Sequence, residues 1–325
     1  MPTPASAEAY RARGYFIGLC AAAILGTTSV IIRYLTLTYH IPALVLTFWR
    51  DVFTVATLVL IFLVIRPGLL KVPRAQLPFL VVYGLVMALF NLLWTLSVSL
   101  NGAAVATVLA YCSAAFTVFL ARLFLAEPLN AAKLLATALC LGGCVLVSGA
   151  HHAEAWRSNF LGILTGTVGG LSYAAYTLMG RAAAGRGLDP WTTLLYIFMF
   201  ATGFLFLLNL PQGGPLHVAA AGTGDFFWLG RAMAGWGILF LLSAGPTVSG
   251  FGLYLVTLKH LPSSVTSLVV SLEPVFTTFY AFLFLGEVLG PAQVGGGVMV
   301  LSGVALLRIH EIRLGQAAAR AVQEK

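Results

Sequence analysis

The segment FTTFYAFLFLGEVL, Phe276–Leu289, repeats FTVFLARLFLAEPL, Phe116–Leu129, at nine of fourteen positions and at an offset of 160 residues. Thr117/Thr277, Ala121/Ala281 and Glu127/Glu287 hold equivalent places in the two copies. Any two apolar segments rich in Phe and Leu share some identity by chance, but matched polar and small positions go beyond that. The correspondence runs on more weakly from LGGCVLVSG (141–149) into LSGVALLRI (301–309), so two halves of about 160 residues account for the chain.

Outward from the repeat, the composition fixes the solvent. Hydrophobic residues make up 60% of the 325 and charged residues 9%, which leaves a water-soluble fold almost nothing with which to cover its surface. Apolar runs of membrane-spanning length recur from Tyr15 to Leu307, too long and too uniformly apolar for the alternating strands of a barrel. They are predicted as ten helical spans: 15–35, 43–64, 77–98, 103–124, 132–150, 160–180, 192–210, 234–257, 263–284 and 290–308. The polar stretch Met1–Gly14 precedes a first span with no obvious small-residue cleavage site, which favours a retained helix over a cleaved signal.

Lysine and arginine set the orientation. With a cytoplasmic N-terminus, the inner side holds Arg11, Arg13, Arg66, Lys71, Arg74, Arg122, Lys133, Arg181, Arg186, Lys259, Arg308, Arg313, Arg320 and Lys325. The outer loops carry only Arg157 and Arg231. Both termini are therefore expected in the cytoplasm of a cell whose inner (plasma) membrane the chain crosses. The expected organisation is an N-terminal tail (1–14), a first five-helix repeat (15–150), a second (151–308) and a C-terminal tail (309–325). Five spans is an odd number, so the second repeat enters the membrane inverted. From such inverted repeats many secondary transporters build alternating access, with cargo near the midplane.

Other classes fit less well. The net charge of +8 comes as single or paired basic residues at span ends and never as a stripe, which excludes nucleic acid. Cys20, Cys112, Cys140 and Cys144 all fall in apolar runs and are read as small core residues, although Cys140 and Cys144 are four apart. His151-His152 stand alone in a short loop, a solvated pair or a zinc sensor. No phosphate loop, metal site or cofactor is expected.

The segment LPSSVTSLVVSLEPVFTTFYAFLFLGEVLGPAQVGGGVMVLSGV (261–304) combines a small-residue-rich span, a mid-span Glu-Pro, a Gly-Glu at the membrane edge and a glycine-rich last span. On these features the sequence resembles the drug/metabolite transporter superfamily and, within it, the EamA-type permeases, over nearly its whole length. The first half is the weaker copy, with Ser113-Ala114 for Glu273-Pro274 and Ala126-Glu127 for Gly286-Glu287. The resemblance implies transport, and export over import, but not a cargo.

Candidate substrate-binding residues are those whose chemistry is costly in hydrocarbon. Glu273, halfway along the ninth span, either takes a proton or a cationic cargo group or makes a structural hydrogen bond to a neighbouring helix. Arg50, in the second span beside Asp51, either receives a carboxylate through its two-pronged guanidinium or snorkels to the headgroups. Adjacent residues diverge by roughly 100° on a helix, so the two cannot both point at the same partner, and Asp51 either satisfies a different helix or lies near the interface. Asn91 and Trp94 share a face of the third span, and Tyr173 and Tyr176 a face of the sixth. Tyr111 in the fourth and Tyr254 in the eighth complete a set that either lines a cavity or packs at interfaces.

Pro246 and Pro274 are candidate hinges. Glu127 and Glu287 are expected to cap the helix that follows each of them. Gly295, Gly296, Gly297 and Gly303, with Gly142 and Gly143, are expected to form close-packing surfaces.

The expected activity is a secondary permease, not an enzyme, that moves a small organic metabolite such as an amino acid. Proton coupling would rest on Glu273. A sugar-phosphate or nucleotide-sugar exchanger would want more cavity cations than Arg50. An integral-membrane enzyme would want His, Asp or Glu clustered at one face, and a helical scaffold would leave the deep charges without a role.

Overall fold

The structure, a computed structural model, describes residues 4–125, 131–148, 152, 159–210, 222–260, 269–270 and 272–323. Among them every regular element is helical. The first half holds α1 (Pro4–Tyr39), α2 (Ala43–Ile65), α3 (Leu77–Asn101), α4 (Ala103–Ala110), α5 (Ser113–Leu125) and α6 (Ala131–Ser148). The second holds α7 (Phe160–Gly185), α8 (Pro190–Asn209), α9 (Met233–Leu242), α10 (Val248–His260), α11 (Glu273–Leu285) and α12 (Pro291–Gln323). Among the described residues five stretches are long and apolar enough to cross a bilayer: Arg13–Tyr39, Ala43–Ile65, Arg74–Asn101, Pro190–Asn209 and Met233–Tyr254. The chain is an all-α, multi-pass membrane bundle.

Proline starts several of these helices, in the first turn where its missing N–H is harmless. Pro190 opens α8 just after Asp189, whose side chain accepts the N–H groups of Trp191 and Thr192 at 2.9 and 3.1 Å.

Three expected spans are broken. The fourth divides at Tyr111–Cys112 into α4 and α5. The eighth is interrupted between α9 and α10 by a π-helical turn, Ser243–Thr247, around Pro246, with the Thr247 hydroxyl donating to Leu242 O five residues back at 3.0 Å. In the ninth, Val269 and Val270 are helical, a turn follows at Leu272 and α11 begins at Glu273; residues 261–268 and 271 lie outside the described residues. Pro274, expected mid-helix, instead occupies the first turn of α11, so the ladder it would have interrupted starts there.

Small residues set which helices lean on which. A Cβ on Gly143 would lie 2.5 Å from Gly296 O, and one on Gly296 2.6 Å from Gly143 O, so α6 and α12 meet backbone to backbone. Gly303 is held as closely against Ala136 O, whereas Gly295 and Gly297, expected in the same surface, face open space. Gly26, the central residue of the Arg13–Tyr39 stretch, lets α11 cross α1 at half-depth: a Cβ there would meet Phe276, Thr277 N and Glu273 O. The remaining pairings are reciprocal. As α3 and α5 pack on α7, so α10 and α11 pack on α1.

Candidate functional site

The two helix breaks meet. Tyr111, at the end of α4, places its hydroxyl 3.2 Å from Glu273 Oε2, at the start of α11, and 3.2 Å from Val270 O, three residues before it. Because α11 crosses α1 at Gly26, this contact lies near the middle of the membrane-spanning bundle. Tyr173 and Tyr254 stand within electrostatic range of the same hydroxyl, so α4, α7, α10 and α11 each contribute one member. A helix that starts inside the bundle turns the positive end of its dipole to that depth, even though Ala115, Phe116, Val275 and Phe276 already donate to Cys112 O and Leu272 O. Here α5 and α11 both start at this depth, which favours a negative group nearby.

A second polar cluster joins α2 to α3. Arg50 and Asp51 are 3% and 0% exposed, and they pair with each other: Nε and Nη2 of Arg50 lie 3.4 Å from Asp51 Oδ1. The long arginine side chain curls back across the divergence between adjacent positions. Asp51 also satisfies a different helix, since Asn91 Nδ2 donates to both of its oxygens at 3.1 and 2.8 Å. The Arg50 guanidinium carbon stands 5.9 Å from the centre of the Trp94 ring, so Asn91 and Trp94 do share the face toward α2. The Arg50 carbonyl accepts the hydroxyls of Thr54 and Ser243, at 2.8 and 2.9 Å, which ties the π turn beside Pro246 to this level of α2. The structure gives no ion pair between Arg50 and Glu273; each has another partner.

Aromatic rings connect the two clusters. Trp94 stacks on Phe90 at 6.3 Å, Phe90 meets Tyr173 at 4.8 Å, and Tyr173 stacks on Tyr176 at 5.8 Å with the rings 9° from parallel. Tyr176 continues to Tyr83 at 5.2 Å and Tyr83 to Phe79 at 5.9 Å, where the Arg186 guanidinium lies 4.1 Å from the ring centre. The column thus runs along the α3–α7 interface with a cation at each end. Phe90, which joins Trp94 to Tyr173, is not among the candidates named from the sequence, although its place one turn before Trp94 is the signal that finds it.

Glu287 corrects an expectation. It does not cap the helix that follows it: its oxygens take the N–H of Ala103 at 3.1 and 3.0 Å and of Ala104 at 3.4 Å, at the start of α4 in the other half. Arg33 Nε lies 3.4 Å from Glu287 Oε1 and the same guanidinium donates to Ser99 O. Gly102, at φ 85 and ψ 166, leaves the space the carboxylate occupies. Glu127 and His151 lie outside the described residues; His152 is exposed.

The sequence model of the EamA-like transporter family matches residues 12–149 and 160–309. An uncharacterized transporter of Archaeoglobus fulgidus is 26% identical over 68% of this chain and 74% of its own length. Protein RarD of Streptomyces exfoliatus is 29% identical over 44% of this chain and 50% of its own. A probable terminal-alkyne amino-acid exporter of Streptantibioticus cattleyicolor is 34% identical over 19% and 22%. A solved structure, titled only as the crystal structure of a protein, superposes with a TM-score of 0.61 over 93% of this chain and 99% of its own, at 17% identity. That likeness concerns the fold alone.

Proposed function

The chain belongs to the EamA-like transporter family, and from that premise we propose that it exports or exchanges a small organic metabolite, such as an amino acid, by alternating access between two inverted five-helix halves. It is a secondary transporter of small organic solutes, and the finer reading concerns cargo and mechanism. The observation that carries it is the contact of Tyr111 with Glu273, where a broken helix of one half meets a broken helix of the other. Discontinuous helices at half-depth are where secondary transporters hold cargo, because freed backbone groups and helix ends replace water there. Glu273 would take a proton or the cargo amine, the positive ends of α5 and α11 the cargo carboxylate, and the Tyr173–Tyr176 stack its apolar body. Arg50 is engaged by Asp51 and stands over the Trp94 ring, which gives less support to a sugar-phosphate reading that needs free cations. The halves would be 15–150 and 151–308, in the inner membrane with both termini cytoplasmic.

Counterflow in sealed proteoliposomes, with a panel of labelled amino acids and related metabolites, tests this. Saturable flux that depends on an imposed pH gradient, and loses that dependence in Glu273→Gln while the variant still inserts and folds, is expected. Absence of saturable flux across the panel would overturn the cargo class, and unchanged pH dependence in Glu273→Gln would remove the carboxylate from the mechanism.

A further inference from the structure

Consecutive helices α11 and α12 lean on different partners, α11 on α1 at Gly26 and α12 on α6 at Gly143, so they diverge. Their counterparts in the first half, α5 and α6, pack directly on each other. The divergence leaves a slot of about 400 Å³ floored by Val108 of α4. Along α11 it extends from Pro274 to Phe282, and along α12 from Gln293 to Leu301.

The slot's depth follows from its ends. The start of α11 lies against Gly26, halfway along the Arg13–Tyr39 stretch of α1, while the loop after Leu285 carries Glu287 to Arg33 near the end of α1. Eight residues of helix rise about 12 Å, close to the roughly 15 Å that one leaflet of a ~30 Å hydrocarbon core provides. The slot therefore runs from the middle of the bilayer to one edge, the length of one leaflet's chains.

Its chemistry is that of an alkyl chain. Among the described residues no ionisable side chain lines it, and the Gln293 amide is already engaged, accepting Gly290 N–H at 2.9 Å and donating to Val147 O at 3.3 Å. Phe279, Phe282, Val294 and Val298 on its walls are each more than half exposed, so the slot is continuous with the apolar surface that the multi-pass bundle turns to lipid. We propose that the slot between α11 and α12 seats a single acyl chain of a phospholipid from the leaflet on the side of the α11–α12 loop, held by its chain and not by its headgroup. The proposal does not depend on what the protein carries.

The test uses the full chain in vesicles of phosphatidylethanolamine and phosphatidylglycerol doped with a phosphatidylcholine that bears a mid-chain diazirine. Irradiation and peptide mapping should find label concentrated on α11 and α12. Gly297 borders the slot and a Cβ there meets nothing within 4 Å, so Gly297→Phe fills the slot without disturbing a packed neighbour and should lose the label. Val298→Trp, from the same wall, should lose it too. Gly295 is equally open but lies outside the slot, so Gly295→Phe should keep it. Label spread evenly over all lipid-facing helices, or retained in a folded Gly297→Phe and Val298→Trp, would overturn the proposal. So would displacement of the label by a metabolite the protein transports, which would make the slot a cargo site.

Discussion

Asp51 has no solvent exposure and draws compensation from two directions, the guanidinium of its own neighbour and the amide of Asn91 on α3. A buried pair of this kind is weak evidence for net stability, but breaking it is costly because one charge is left alone. Asp51→Asn should therefore destabilise the protein by about 3–5 kcal/mol, whereas the double change Arg50→Met with Asp51→Leu should cost less than the single one. Thermal unfolding in detergent micelles reads both; a double variant worse than Asp51→Asn would mean that the pair stabilises beyond its own neutralisation. At this scale the sequence showed which residues were expensive to bury, but not their partners. The 100° divergence of neighbouring positions bore only on shared third partners; the pairing of Arg50 with Asp51 themselves depends on the reach of the arginine side chain, which residue spacing does not show.

Helix boundaries show where sequence patterns carry structural information and where they lack it. The offset of 160 seen in the repeated segment returns in the elements: α5 spans Ser113–Leu125 and α11 Glu273–Leu285, while α6 begins at Ala131 and α12 at Pro291. Breaks marked by proline, at Pro246 and Pro274, were visible in the sequence. The break at Tyr111–Cys112 was not, because Tyr-Cys-Ser carries no glycine or proline and the apolar run passes through it unchanged. Glycine contacts give a graded test. Gly102 sits in a backbone region open essentially to glycine, and its Cβ would meet the Glu287 carboxylate, so Gly102→Ala should cost about 1–3 kcal/mol. Gly143→Leu should separate α6 from α12 and lower the unfolding temperature further. Gly295→Ala, with open space around it inside a helix, should stabilise by about 0.5–1 kcal/mol. Equal effects at Gly143 and Gly295 would contradict the packing surface described for α12.

For the whole molecule, the reciprocal packing of α3 and α5 on α7 and of α10 and α11 on α1 fits a two-fold relation between the halves, and the proposed mechanism takes that relation to be inverted. That reading has a topological consequence. Reporters fused after residues 70 and 185 should register the cytoplasm and one near 220 the exterior; a cytoplasmic signal at 220 would reverse the orientation and detach the charge asymmetry from the fold. The link between halves also has a consequence in time. The amides that open α4 are closed by a carboxylate 184 residues further along the chain. At about 5–20 residues per second of synthesis, the ribosome takes on the order of ten to forty seconds to deliver Glu287 after Ala103 has entered the translocon. Throughout that interval the start of α4 must borrow water or a chaperone for its open N–H groups. Nascent chains arrested before residue 287 should therefore exchange the amide hydrogens of Ala103 and Ala104 freely, and released full-length chains should protect them: the first half of this protein is finished by the last part of the second.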